Sequence, residues 1–187
     1  SQIMYQKKIL THPPHNAIIL LGMNRVGCGR VKTRYNMPNE DFFLGREKEL
    51  KLITNFLNSN KNNAALVYGR RRVGKTELLK HCLNQILTTS IYYECKETSE
   101  QNNVESFSEI ISETFGLPPL AFNSFEATLA FLYKQSSERE IVLIIDEYPY
   151  IRNVVKGLDG IIQSFVDNYK SNSKLKLILC GSYVEIM

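Results

Sequence analysis

The sequence contains no apolar run long enough to cross a membrane or to form the core of a secretory signal. The most apolar stretch near its N-terminus, residues 17–21, follows Pro13 and Pro14 and is only five residues long. A membrane helix needs about 20 apolar residues, and a signal core needs roughly 7 to 15. We therefore expect a soluble, cytoplasmic protein that does not associate with a membrane.

Cysteine and histidine are scarce, and neither is spaced for a metal site. None of the four cysteines lies in a C-x-x-C pair; they are Cys28, Cys82, Cys95 and Cys180. Three of them fall in apolar runs, which predicts three buried thiols and one loop thiol in a reducing compartment. His12 and His15 flank two prolines and have no further ligand nearby in sequence. We expect them to be solvated loop residues rather than metal ligands.

No strong excess of charge of one sign is present either. The chain has 23 basic and 19 acidic residues, a formal net charge of +4. Four of the positive charges lie within residues 69–75 alone. A nucleic-acid surface is therefore permitted by composition and not implied, since the sequence shows no basic stripe or recognition helix. Hydrophobic residues make up 43% and charged residues 22% of the chain, which argues against global disorder.

From residue 42 onwards, strand patterns alternate with helical patterns. The predicted strands are residues 64–68, 91–95, 141–145 and 175–180, with amphipathic helical stripes between them. Residues 141–145 are consecutively apolar and four of the five are β-branched, which is typical of a strand buried on both faces of a parallel sheet. This alternation predicts an α/β fold in which helices flank a parallel sheet through right-handed crossovers.

The strongest motif is GRRRVGKT, residues 69–76, which matches G-x-x-x-x-G-K-[ST] at every fixed position. Such a phosphate-binding loop (P-loop) turns backbone N–H groups towards a phosphate, and the N-terminus of the following helix faces the same anion. In this pattern Lys75 reaches the β- and γ-phosphates and the Thr76 hydroxyl contacts Mg²⁺. The three arginines either add charge around the triphosphate, or point to solvent or pair with nearby acids. The candidate nucleotide-binding residues are Gly69, Arg70, Arg71, Arg72, Val73, Gly74, Lys75, Thr76 and Glu77.

An acidic pair follows the buried strand at residues 141–145. The carboxyl ends of parallel strands line the crevice in which such sheets bind ligands, so this pair is expected beside the P-loop. We predict that Asp146 holds Mg²⁺, directly or through water, and that Glu147 takes a proton from the attacking water. Ser182 follows the predicted strand at 175–180. Its hydroxyl either orients the attacking water or simply lies in a turn after a glycine.

The first 41 residues are harder to interpret. Residues 17–21 can form one short strand. Residues 22–29 contain two glycines at P-loop spacing, but Cys28 and Gly29 stand where Lys and Ser/Thr are needed, so we predict an ordinary glycine turn. We accordingly divide the chain into an N-terminal segment of uncertain structure, 1–41, and a P-loop domain, 42–187, which the resemblance described next implies to be a partial ATPase domain.

Four segments together resemble the archaeal-type ATPase family of prokaryotes, within the AAA+/STAND-related group of P-loop ATPases. They are FFLGREKEL at 42–50, YGRRRVGKTELL at 68–79, IVLIIDEYPY at 141–150 and LILCGSYVEIM at 177–187. The resemblance implies ATP as the nucleotide and gives the P-loop lysine and threonine and the acidic pair the roles derived above. It also implies that Ser182 is the first sensor residue. The segment around Leu44, Gly45 and Arg46 resembles the part of such proteins that packs near the adenine.

The resemblance also implies what should follow in the chain. Members of this family continue with another core strand, an arginine finger, a helical lid with a second sensor and often a nuclease-like C-terminal domain. On this ground we expect a truncated protein whose P-loop NTPase sheet lacks its last core strand and its lid. The partner is a nucleotide, with a homo-oligomer or a missing C-terminal domain as further expectations.

Three functions are consistent with these features. The first is ATP–Mg²⁺ binding and hydrolysis coupled to a conformational switch in a larger protein, slow in this chain because an arginine finger is absent. The second is a nucleotide-gated binding module without turnover, or a degraded remnant that folds poorly because its sheet lacks an edge partner. An exposed parallel edge would favour aggregation or dimerisation. The third is a nucleic-acid-associated ATPase whose effector domain is missing.

Overall fold

The computed structural model describes residues 16–20, 46–60 and 63–183. The strands in these ranges are β1 (Asn16–Leu20), β2 (Ala64–Arg70), β3 (Thr89–Glu94), β4 (Ile141–Asp146) and β5 (Leu175–Tyr183). The helices are α1 (Glu47–Leu57), α2 (Lys75–Asn84), α3 (Glu100–Phe115), α4 (Phe125–Gln135), α5 (Tyr148–Val154) and α6 (Leu158–Asn168). Within the described residue ranges, no helix has both the length and the apolar character needed to cross a bilayer.

All five strands pair in parallel, in the order β1-β2-β5-β4-β3. The predicted α/β fold with a parallel sheet flanked by helices is thereby confirmed. β5 lies between β2, which leads into the P-loop, and β4, which ends at the acidic pair. The carboxyl ends of these three neighbouring strands therefore lie side by side at the same end of the sheet. This geometry brings distant sequence motifs together.

The edge beside β2 is occupied by β1, whose residues pair in register with Ala64 to Tyr68 of β2. The short strand predicted at 17–21 is confirmed, with its bounds at 16–20. The expectation that the sheet lacks an edge partner is wrong at β2, because this N-terminal strand fills the position. A run of five apolar residues indicates a strand but carries no information about its partner, since strand pairing depends on distant contacts. The predicted glycine turn at 22–29, and Gly45, lie outside the described residues.

Apolar side chains are buried on both faces of the sheet. On one face they pack with helices α3 to α6, and on the other with α1 and α2. β4 contributes to both clusters, since Ile141, Leu143 and Ile145 belong to the first and Val142 and Ile144 to the second. This two-sided burial explains why its sequence is continuously apolar. The prediction of three buried thiols is confirmed for the cysteines of α2, β5 and the β3–α3 loop.

A buried asparagine fixes the loop that leaves β3. Tyr93 Oη donates to the backbone oxygen of Asn103 at 2.9 Å and to its Oδ1 at 2.7 Å. Lys96 N also donates to Oδ1, and Asn103 Nδ2 donates to the backbone oxygens of Lys96 and Ser99. Every polar group of the Asn103 side chain has a hydrogen-bond partner. Its full burial therefore avoids the free-energy cost of burying an amide without a partner. Hydrogen bonds thus link the carboxyl end of β3 and the loop after it to α3.

Candidate functional site

The P-loop runs from the end of β2 into the first turn of α2. Gly74 is the residue before the helix and has a φ of 81°, in the left-handed region. A Cβ at this position would have nothing within 4 Å, so the backbone angle, not space, favours glycine. Arg72 also lies in this region, with a φ of 65°, at a cost of about 1 to 2 kcal/mol for a residue with a side chain. The loop therefore holds a strained turn at its tip.

The Lys75 ammonium lies folded back over the loop and is almost fully buried. Nζ donates to the backbone oxygens of Gly69 at 3.1 Å and Arg70 at 2.9 Å, and to Ser182 Oγ at 2.8 Å. These contacts use all three donors of an ammonium group. Ser182 is therefore directly linked to the P-loop lysine. An anion that binds Lys75 has to replace at least one of these partners.

Asp146 is buried, and both of its carboxylate oxygens accept hydrogen bonds. Oδ2 accepts from Thr76 Oγ1 at 2.6 Å and from Tyr92 Oη at 2.7 Å, and Oδ1 accepts from Glu147 N at 2.8 Å. Burial alone would raise the pKa of Asp146, but these bonds and one from Cys180 outweigh it and lower the pKa. Asp146 is therefore a carboxylate at neutral pH, in contact with Thr76 in the first turn of α2.

Glu147 has a contrasting environment although it is the next residue. Burial, followed by the charge of Asp146, raises the pKa of Glu147, while the charges of Lys75 and Arg71 act in the opposite direction. Its φ is 49°, a left-handed conformation that costs on the order of 1 to 3 kcal/mol and that occurs disproportionately at functional sites. The two acids thus have pKa values displaced in opposite directions, which is the pattern of residues with different proton-transfer roles.

Gly181 allows three parts of the site to pack closely. A Cβ there would lie 3.0 Å from Cδ and 3.1 Å from Cγ of Pro149, and 3.1 Å from Cε2 of Tyr68. Tyr68 precedes the P-loop, Pro149 follows the acidic pair, and Ser182 is the next residue of β5. The absence of a side chain at Gly181 therefore sets how near α5 lies to β2 and β5.

Arg46 contacts the main chain of the P-loop. Its Nη2 donates to the backbone oxygen of Val73, and Nη1 lies 3.6 Å from Glu49 Oε1 one turn later in α1. This contact joins the start of α1 to the loop one residue before Gly74. That Arg46 contacts the nucleotide stays a prediction. Its guanidinium contacts the P-loop at Val73.

The structure brings some predicted site residues together and leaves others apart. Lys75 meets Ser182, and Thr76 meets Asp146, with Glu147 adjacent. The side chains of Arg71, Arg72 and Glu77 are exposed, and Arg70 and Val73 are half-buried. Sequence reasoning missed the residues that support the site from neighbouring strands; they are Tyr92, Cys180 and Gly181. A tyrosine two residues before the end of a strand gives no such signal until the strand order is known.

The oxygens gathered here fit a divalent cation. The Thr76 hydroxyl and the Asp146 carboxylate are hard oxygen donors of the kind that Mg²⁺ prefers, together with phosphate oxygens and water. Over the ranges that the structure describes, no group of three or more His, Cys, Asp or Glu residues is arranged to hold a metal. The donor set therefore suits a divalent cation whose remaining ligands are phosphate oxygens and water.

The parallel sheet order, the glycine loop before α2 and the acidic end of β4 define a P-loop ATPase domain. Residues 43–186 match the family described as an ATPase domain predominantly from Archaea. The chain belongs to this family, as the sequence resemblance predicts.

Two proteins of Methanocaldococcus jannaschii are similar to the chain. An uncharacterized protein is 34% identical over 146 residues, which cover 78% of this chain and 30% of that protein. An uncharacterized ATP-binding protein is 49% identical over 41 residues, which cover 22% of this chain and 70% of that protein. The chain thus spans less than a third of the length of the first relative.

A solved structure supports the fold. The Walker-type ATPase of Pyrococcus abyssi matches with a TM-score of 0.52 and 24% identity, over 80% of this chain and 48% of that one. At this level of identity the similarity establishes a common fold and no common substrate.

Proposed function

We propose that this domain binds ATP with Mg²⁺, hydrolyses its γ-phosphate and uses the cycle to change the conformation of a larger protein. One observation carries the proposal: the P-loop lysine and threonine each contact a residue at the end of a different neighbouring strand. Lys75 Nζ lies 2.8 Å from Ser182 Oγ, and Thr76 Oγ1 lies 2.6 Å from Asp146 Oδ2. These two contacts support a single site shared by the P-loop and the ends of β4 and β5.

In the binding step, the triphosphate lies over the loop and the N-terminus of α2. Phosphate oxygens accept from the loop N–H groups and are favoured by the helix dipole. Lys75 exchanges its bonds to neutral oxygens for bonds to phosphate oxygens, which are stronger because both partners are charged. Thr76 and Asp146 would hold the Mg²⁺ that accompanies the nucleotide. This ion would supply positive charge against the charge of the triphosphate.

In the chemical step, water attacks the γ-phosphorus and the bond to the bridging oxygen of ADP breaks. Glu147 orients this water and accepts its proton, a role for which a pKa above that of an ordinary carboxyl group is suited. Asp146 stays ionised because its pKa is lowered. Once Lys75 has turned to the phosphates, the Ser182 hydroxyl at the end of β5 is available to orient the attacking water.

The same contacts provide a route to a conformational switch. Lys75 cannot turn fully to the phosphates and keep its present set of three partners, so nucleotide binding weakens its bond to Ser182 on β5. Gly181 packs against the start of α5, which follows Glu147. A change at the γ-phosphate can therefore alter the position of α5 relative to β5. We expect turnover to rise when an arginine from a partner or another domain contacts the γ-phosphate, since such a residue can contribute about 10³ to 10⁵ in rate.

A comparison of wild type with Glu147→Gln tests the proposal. We expect the variant to bind ATP–Mg²⁺ as wild type does and to lose phosphate release, because the amide cannot accept the proton. Phosphate release is measured with a coupled optical assay, and binding with a fluorescent ATP analogue. A domain that only binds nucleotide would show equal, negligible phosphate release in both proteins, and this result would contradict the proposed hydrolysis.

A further inference from the structure

Tyr92 lies beside the proposed cation site, although the proposed steps assign it no role. It is on β3, pairs with Ile144 of β4 and so precedes the register position of Asp146 by two residues. Its hydroxyl donates to Asp146 Oδ2 at 2.7 Å, the oxygen that Thr76 Oγ1 contacts at 2.6 Å. The phenol and the threonine therefore share one carboxylate oxygen.

The tyrosine ring is held from two sides, so its hydroxyl has a defined position. The ring packs against the apolar cluster formed with α1 and α2. The Lys80 ammonium on α2 lies 4.8 Å from the ring centroid, within the range of a cation–π contact. A phenol carries one O–H donor, and the Tyr92 hydroxyl directs it at Asp146.

The geometry leaves Asp146 oriented by groups other than Thr76. Oδ1 accepts from the Glu147 backbone N–H and Oδ2 from Tyr92. The Thr76 oxygen can offer a lone pair to a cation while its proton remains directed at Asp146, because a hydroxyl is both donor and acceptor. Two donors on opposite oxygens then keep the carboxylate plane fixed when a cation replaces or shares contacts at this point.

We propose that Tyr92 is a positioning residue for the divalent cation, which it holds in place by orienting Asp146 through its hydroxyl. This inference rests on the proposed function, since it concerns the cation that accompanies the nucleotide. It assigns Tyr92 to metal binding rather than to contact with the nucleotide. Partners that orient a metal ligand typically contribute about 10- to 100-fold in metal affinity or activity.

The neighbouring Tyr93 provides a matched control. It is on the same strand, but its ring belongs to the apolar cluster on the opposite face of the sheet, and its hydroxyl donates to Asn103. Tyr92→Phe and Tyr93→Phe therefore remove the same atom from adjacent residues. Both variants keep the ring and its apolar contacts, so both are expected to fold.

The experiment measures the affinity of a non-hydrolysable ATP analogue in EDTA and across a titration of Mg²⁺. For Tyr92→Phe we expect wild-type affinity in EDTA and a Mg²⁺ midpoint raised about 10-fold. Electron paramagnetic resonance with Mn²⁺ should show correspondingly weaker binding of the ion in the ternary complex. For Tyr93→Phe we expect a lower melting temperature and an unchanged Mg²⁺ midpoint.

Three results would overturn the inference. An unchanged Mg²⁺ midpoint in Tyr92→Phe would show that the hydroxyl does not support the cation. An equal loss of affinity in EDTA and in Mg²⁺ would show a general structural role. Equal midpoint shifts in Tyr92→Phe and Tyr93→Phe would show that loss of stability is the cause. Wild-type protein that binds no nucleotide would instead overturn the proposed function, and this inference with it.

Discussion

Replacing Gly181 by alanine should disturb the site through a single methyl group. The added Cβ would lie 3.0 Å from Pro149 Cδ and 3.1 Å from both Pro149 Cγ and Tyr68 Cε2. Favourable carbon–carbon contacts are about 3.5 to 4.0 Å, so these neighbours have to move by roughly 0.5 Å. Pro149 is held by the α5 backbone and cannot swing aside as a long flexible side chain can. We expect the free energy of unfolding to fall by about 1 to 3 kcal/mol, the usual range for overpacking.

The effect of Gly181→Ala on turnover and on nucleotide affinity should depend on which neighbouring residue is displaced. Pro149 is two residues after Glu147, so a displaced α5 shifts the proton acceptor relative to the γ-phosphate. Tyr68 precedes the P-loop by one residue, but its ring can tilt without moving the backbone. We therefore expect kcat to fall more than nucleotide affinity, since misplacement of a reacting group by about 1 Å can cost on the order of 10²-fold.

Gly160→Ala is the matched control for this substitution. Gly160 is in the first turns of α6 and a Cβ there would have nothing within 4 Å. Alanine should stabilise the helix by about 0.5 to 1 kcal/mol and leave turnover unchanged. Urea unfolding and steady-state phosphate release measure the two effects. Wild-type stability and turnover in Gly181→Ala would refute the reasoning about close packing at this point.

Three further outcomes follow from the described contacts. Arg72→Gly should raise the free energy of unfolding by up to about 1 kcal/mol, because relief of the left-handed strain outweighs the entropy cost of glycine; urea unfolding that shows a loss would contradict this. The pKa of Asp146 is lowered, so its ionised form stabilises the folded protein at pH values above its ordinary pKa of 3.8. This stabilisation is lost as the pH falls through the pKa that Asp146 has in the folded protein. Asp146→Asn should flatten that part of an acid-unfolding curve, and an unchanged curve would argue against the hydrogen-bonded carboxylate. A variant without residues 1–20 should melt at a lower temperature and associate in sedimentation, because it exposes the backbone edge of β2; a monomer of wild-type stability would show that β1 contributes little.

The sequence was most informative where one local pattern is enough. Residues 69–76 and 141–145 could be interpreted directly, because a P-loop is defined by spacing and a strand buried on both faces by continuous apolar character. Together they predicted the α/β class and that a ligand would lie at the carboxyl ends of the strands. The structure adds that β5 separates β2 from β4, which places Ser182 within 2.8 Å of Lys75.

The rest depended on strand order, which local patterns do not contain. β1 was predicted as a strand, but its partner β2 is more than 40 residues away in sequence, and its place at the edge of the sheet came from the structure. The hydrogen bond from Tyr92 to Asp146 requires that β3 lies beside β4. The close packing at Gly181 requires that Pro149 of α5 lies against β5. Each of these is a contact between distant segments, so neither periodicity nor spacing could have predicted it.

The central claim is that the P-loop closes around a triphosphate through Lys75. Isothermal titration calorimetry with ATP and Mg²⁺ tests it directly, on wild type, Lys75→Ala and Lys134→Ala, an exposed lysine on α4 outside the site. We predict equal affinity for wild type and Lys134→Ala and a loss of about 10- to 100-fold for Lys75→Ala, as expected for charged hydrogen bonds of roughly 1.5 to 3 kcal/mol. Equal affinity in all three proteins would contradict the account.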